Sequence, residues 1–196
     1  MTELKTDQIQ APAVRRNAEH TRKRILDAAR RHFSRSSYEN VGTRDIASDA
    51  GVDAALVNRY FGTKEKLFSE VITDGFLVKE HLPERMSDLG THLAAQVLEG
   101  AAESSADEFD AVRVLLRAAG NPAIAPLVSE CFHREFVAPL AKMLHGRDTE
   151  VRAAVIASYV IGLATMRHGL ASPCLAGDNE NKAVAIAAAA IQACVG

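Results

Sequence analysis

Five residues near the N-terminal third of the chain, Asp53, Ala54, Ala55, Asn58 and Arg59, fall on the outer face of one short helical stretch. Their types suit the exposed edges of stacked bases. A guanidinium can donate two hydrogen bonds to a guanine edge, a carboxamide can make a two-point pair with adenine, and an alanine methyl can meet the methyl of thymine. Arg44, on the preceding stretch, is placed to reach a base or a phosphate. The same spacing also suits an ordinary helical hairpin with a solvated face. Catalytic chemistry finds no such group of residues. The sequence contains no GxSxG, HExxH, GxGxxG or Walker-type glycine loop. Cys131 and His133 are two apart, so on a helix they face different directions. No catalytic residue, metal site or cofactor is therefore expected.

These side chains need short helices to present them. In the segment from Thr43 to Phe61, Ile46 and Ala50 on one helix and Val52, Val57 and Phe61 around the next supply a shared core. Ala47 is small enough for a close crossing, and Gly51 sits in the turn, where a positive φ is easy for glycine. Asp53 is placed to cap the second of these helices and Gly62 to end it. Before them, Ile25, Ala29 and Phe33 at i, i+4 and i+8 predict a helix from Asn17 that ends near Ser36–Tyr38. After them, Thr63 is placed to cap a fourth helix carrying Leu67, Phe68, Val71 and Ile72.

Further helices are expected over 88–104, 107–119, 122–145, 148–170 and 180–195, with punctuation by Gly, Pro, Asn and Ser, and no strand pattern appears. The fold class is thus all-α, with about nine helices. A three-helix N-terminal helix-turn-helix domain precedes a larger helical domain. The expected divisions are a disordered arm over 1–16, a helix-turn-helix domain over 17–62, a connecting helix over 63–82 and the larger domain over 83–196.

Charge divides the chain in the same way. Residues 13–35 carry eight basic side chains against two acids, whereas from residue 81 onward thirteen acids face nine bases. A basic end and a mildly acidic body are the footprint of a protein that meets phosphate at one end. Three cysteines without CxxC spacing suggest neither a disulfide framework nor a zinc site, which fits a reducing cytoplasm. The polar N-terminus has no signal-peptide core, and the longest apolar run, Ala183–Ile191, is too short and alanine-rich to span a bilayer. No membrane partner is expected.

Over residues 21–68 the blocks TRKRILDAARRHF, Tyr38, TRDIASDAGV and YFGTKEKLF closely resemble the DNA-binding domain of the tetracycline-repressor (TetR) family, in family order and at family spacing. The resemblance implies a sequence-specific DNA-binding regulator and not an enzyme, acting on double-stranded DNA as a ligand-responsive repressor. It places Thr43, Tyr60 and Lys64 at the DNA backbone, Arg44, Asn58 and Arg59 at or near bases, and Ala54 and Ala55 at the start of the recognition helix. Two positions depart from the family pattern. Gly42 stands where relatives carry Ser or Thr, and Ser37 where they carry the glycine that ends the first helix; a left-handed Ser37 would cost about 1 kcal/mol. Arg15 and Arg16 in the arm suit either a neighbouring minor groove or a solvated tail.

The later segment VRVLLRAAGNPAIAPLVSECFHREFVAPLA resembles the ligand-binding domain of a subgroup common in actinobacteria. In this family the second domain pairs two copies and holds an effector. Val151, Val155, Tyr159 and Leu163 on one late helix, with Ala187 and Ile191 on the last, are the expected homodimer interface, on faces that must also close part of the chain's own core. Phe109, Leu115, Phe132, Phe136, Tyr159, Met166 and His168 are candidates for a pocket that takes a hydrophobic small molecule. His168 and Arg167 suit either recognition of an acidic group or a solvated position near a helix end.

Overall fold

A computed structural model describes residues 11–75, 82–99 and 111–196. Among these residues there are helices and turns and no strands. The chain divides into two units, Met1–Val71 and Ile72–Gly196. The division falls inside a helix, not at the expected boundary before residue 63.

The first unit begins with α1, Ala11–Arg35. It starts ahead of the expected Asn17, so Arg15 and Arg16 belong to a helix and not to a free arm; residues 1–10 lie outside the described residues. Helix α1 ends without a left-handed cap at Ser37, as the missing glycine there implies. Ser36 N–H bonds the His32 carbonyl, and Ser37 is extended at φ −66°, ψ 153° before a 3-10 turn over Tyr38–Asn40. Helices α2 (Thr43–Asp49), α3 (Ala54–Phe61) and α4 (Lys64–Gly75) follow. Ile25, Ala29 and Phe33 on α1, Ile46 on α2, Val57 and Phe61 on α3, and Leu67 and Phe68 on α4 are all buried. Phe33, Tyr38 and Phe68 form an aromatic cluster, with the Phe33 and Phe68 rings edge to face at 4.7 Å.

The second unit contains α5 (Leu89–Glu99) and α6 (Ala111–Ala119). Helix α7 runs over Ala125–Phe132, widens into a π segment over His133–Val137 and closes with Ala138–Ala141. Helix α8, Thr149–Ala164, likewise ends in a π segment, Thr165–Gly169, and α9 spans Glu180–Ala193. The remainder of the expected 88–104 and 107–119 helices lies outside the described residues. The π segments were not expected, because one extra residue in a turn leaves the apolar periodicity almost unchanged.

Helices α5 and α9 pack most intimately. A Cβ at Gly90 would overlap the Ala188 carbonyl oxygen and lie 2.9 Å from Gln192 Cβ. The Gln192 carboxamide also serves the start of α5, accepting from Gly90 N–H at 2.9 Å and donating to the Met86 carbonyl at 3.2 Å. The core beneath joins Leu89, Leu93, Phe136, Leu140, Ile156, Ala187 and Ile191. Arg152 ties the end of α9 down: its guanidinium donates to the carbonyls of Cys194 and Val195, and to those of His145 and Arg147.

Candidate nucleic-acid interface

The turn between α2 and α3 is built from backbone bonds that glycine makes possible. Gly51, at φ +62°, donates to the Ser48 carbonyl at 3.0 Å, and Val52 N–H reaches back to the Ala47 carbonyl at 2.9 Å. This pair of bonds closes the end of α2 as a Schellman motif. Arg24 of α1 donates to the Ala50 carbonyl and, at 3.1 Å, to that of Gly51. A Cβ at Gly51 would lie 2.6 Å from that Arg24 nitrogen, so a side chain here would have to shift the tip of Arg24, while the positive φ is what calls for glycine.

Helix α3 then starts on a cap. Asp53 Oδ1 accepts from Ala55 N–H at 2.7 Å. Asp53, expected among the DNA-facing residues, is thus engaged with its own helix, and a carboxylate there is repelled by phosphate. Val57 and Phe61 turn inward, leaving Ala55, Asn58 and Arg59 exposed at i, i+3 and i+4. Ala54 and Tyr60 flank that face half-buried. At its far end Gly62, φ +78° and ψ −80°, makes a γ-turn in which Thr63 N–H meets the Phe61 carbonyl at 3.1 Å. Thr63 Oγ1 then accepts from Lys66 N–H at 3.3 Å, capping α4 as expected.

Helix α2 has no side-chain cap, since Gly42 occupies that position. Asp45 in its first turn supplies the negative charge that favours a helix N-terminus. A Cβ at Gly42 would lie 2.5 Å from the Asp45 carboxylate, so the departure at Gly42 leaves room for Asp45. Thr43 is half-buried and Arg44 exposed, without an ion pair to another described residue.

Lys64 differs from expectation. Its ammonium donates to the Tyr38 carbonyl and lies 4.2 Å from the centre of the Tyr38 ring, folded back on its own unit. Partial burial lowers its pKa, against the opposing influence of Glu65 and Glu39. The basic stretch of α1 is similarly occupied. Arg22 pairs with Glu70, Arg30 with Asp27 at 3.2 Å and Arg31 with Asp49 at 2.9 Å. Sequence counting registers these charges but cannot tell an internal brace from a phosphate contact; acidic partners distant in sequence, such as Asp49 and Glu70, were the missed signal.

In the second unit the expected interface residues separate. Val151, Val155 and Tyr159 are exposed on α8, at 64 %, 39 % and 40 %, and Leu163 is half-buried. Ala187 and Ile191 are buried in the unit's own core against α5, so they are unavailable to a partner; Ile186, 73 % exposed, holds the outer face of α9 instead. The expected pocket residues also disperse. Leu115 and Phe136 are buried, and the Phe132 and Phe136 rings stack 5.3 Å apart. Tyr159 and Met166 are surface residues, and Phe109 lies outside the described residues. His168 Nε2 bonds the Val97 carbonyl at 2.7 Å, while Arg167 bonds the Leu98 carbonyl at 3.2 Å and Glu180 at 3.0 Å. Both side chains are committed to the end of α5. No group of three metal-ligating side chains occurs among the described residues.

Comparison with known proteins follows this division. Residues 25–71 match the family described as bacterial regulatory proteins, tetR family, and residues 87–195 match the tetracyclin repressor-like C-terminal domain. The HTH-type transcriptional regulator BetI of Agrobacterium fabrum is 47 % identical over 51 residues, a match spanning 26 % of this chain and 25 % of that one. A solved TetR-family regulator from Streptomyces coelicolor superposes with a TM-score of 0.58 at 25 % identity, covering 90 % of this chain and 95 % of that one. The multidrug binding protein EbrR complexed with ethidium gives 0.63 at 20 % identity, covering 90 % and 99 %. NalD, the secondary repressor of the MexAB-OprM multidrug efflux pump in Pseudomonas aeruginosa, gives 0.56 at 20 %, covering 89 % and 97 %.

Proposed function

From the premise that this chain belongs to the TetR family of bacterial regulatory proteins, helix-turn-helix regulators of transcription, we propose that it is a cytoplasmic, homodimeric repressor that reads a palindromic operator and is released by a small apolar effector. The observation that carries the reading is the exposed face of α3. Ala55, Asn58 and Arg59 stand clear on a helix whose two ends are fixed by Asp53 and Gly62, with Arg44 exposed on α2. Such a face presents one apolar and two bidentate groups to a major-groove edge. Thr43 and Tyr60 are the proposed backbone contacts beside it.

Two copies are needed to place recognition helices in successive major grooves about 34 Å apart. Val151, Val155, Tyr159 and Met166 on α8 and Ile186 on α9 support pairing through these helices, because an exposed apolar strip calls for a cover. The stretch Thr149–Gly169 is long and apolar enough to cross a membrane. Its apolar exposure runs along one strip between polar Glu150, Arg152 and Ser158, which suits a protein partner better than lipid. For the effector, Leu115, Phe132 and Phe136 remain the proposed contacts, and the ethidium complex of EbrR supports a small molecule as ligand.

The test is a titration of the full chain against duplexes recovered from a randomised pool. We expect one enriched palindrome, and Arg59→Ala is expected to weaken its binding by about 1–3 kcal/mol and relax the base preference opposite that residue. A folded chain that enriches no sequence at low salt overturns the reading.

A further inference from the structure

Two arginines of α1 reach the opposite ends of α3. Arg24 donates to the carbonyls of Ala50 and Gly51, in the turn that leads into the helix. Arg22 lies over the ring of Phe61, the last residue of α3, with its guanidinium carbon 4.8 Å from the ring centre. Arg22 is itself held by the Glu70 carboxylate on α4. The two side chains are two residues apart on one helix, so they diverge, and α3 lies between their targets. Gly51 fits this arrangement, since any larger residue there would displace the Arg24 guanidinium.

We propose that Arg22 and Arg24 are positioning residues that set the pose of α3, and through that pose its discrimination among base sequences, without touching DNA themselves. This rests on the regulator reading above. The chemistry favours arginine in both places. At Arg24 one guanidinium nitrogen carries two N–H groups in a fixed plane and meets both carbonyl oxygens, and at Arg22 the flat cation stacks on an aromatic face, which an ammonium does less well. Both guanidiniums already have their partners within the unit. A few tenths of an ångström at either end of α3 would alter the two-point fit of Asn58 and Arg59 to base edges, while phosphate attraction, which tolerates such shifts, would persist.

The experiment compares the full wild-type chain with Arg24→Gln, Arg22→Gln and the milder Arg24→Lys. Each is titrated against the duplex that the wild type enriches and against a scrambled duplex of equal length, over a range of salt. Thermal melting and a stoichiometric titration restrict the comparison to folded, active protein. The glutamine variants are expected to lose about tenfold in the ratio of specific to scrambled affinity, a modest part of the span such ratios cover. Arg24→Lys is expected to recover part of the loss, and keeps the test open if Arg24→Gln does not fold. The slope of log affinity against log salt on the scrambled duplex is expected to stay within about half a unit of wild type, because one lost phosphate contact lowers it by about 0.9.

An unchanged ratio in folded variants overturns the inference, for these arginines then stabilise the fold alone. A slope lowered by about one unit also overturns it, since the side chains then meet phosphate. A wild-type chain that enriches no duplex fails at the earlier step, and removes the regulator reading itself.

Discussion

At the residue scale, the contrast between Arg59 and Lys64 separates reading from bracing. Arg59 is exposed on α3, whereas Lys64 is folded onto the ring and carbonyl of Tyr38. The two should respond differently to loss of charge. Replacing Lys64 by Met is expected to reduce the stability of the first unit by about 1–2 kcal/mol, from one cation–π contact and one charged hydrogen bond. Denaturant titration would measure this. The salt dependence of DNA binding is expected to stay as in wild type; a slope lower by about one would return Lys64 to the phosphate backbone. Residue type and family spacing made the outward set on α3 legible. They could not show where a flexible lysine bends, because the choice between a phosphate and the Tyr38 carbonyl is made by neighbours that assemble only on folding.

Helices and their ends were legible to different degrees. The stretches around Thr43, Asp53 and Thr63 were readable because caps and glycines punctuate them locally. The end of α1 falls where Ser36–Tyr38 placed it, one residue before Ser36. Ser37 in place of the family's glycine disfavours a left-handed cap, and the chain turns instead through Tyr38–Asn40 with Ser37 extended. The last helix shows a different limit. Its alanines and isoleucines are apolar nearly all round, so periodicity could not decide which face turns inward; the close approach of Gly90 decides it, by drawing Ala187 and Ile191 onto α5. Gly90→Ala is therefore expected to destabilise the second unit by about 3 kcal/mol, at the upper end for an overpacked site, because the obstructing atom belongs to the Ala188 backbone and cannot rotate aside. Thermal unfolding of the variant would check it, and an unshifted midpoint would mean that α5 and α9 have room to separate.

For the whole molecule, sequence asymmetry correctly anticipated an N-terminal unit of one kind and a larger helical unit of another. It could not show that Arg22, Arg30 and Arg31 find acidic partners within the unit. Assembly is where the two units' roles meet. Placing a carboxylate at the exposed strip, as in Val151→Glu or Ile186→Glu, is expected to shift the chain from dimer to monomer in sedimentation and to weaken operator binding at least tenfold, since a single recognition helix then acts alone. A variant that remains dimeric would move the interface to another surface.

Helix α9 has Ile191 fully enclosed on one side and Ile186 73 % exposed on the other. One element therefore serves both the interior of a subunit and the proposed seam between subunits. Folding and association then share a helix, so diluting the protein should by itself lower the temperature at which it melts. A calorimetric midpoint that climbs with concentration would be the sign of that linkage, and one indifferent to concentration would show that each subunit stands alone.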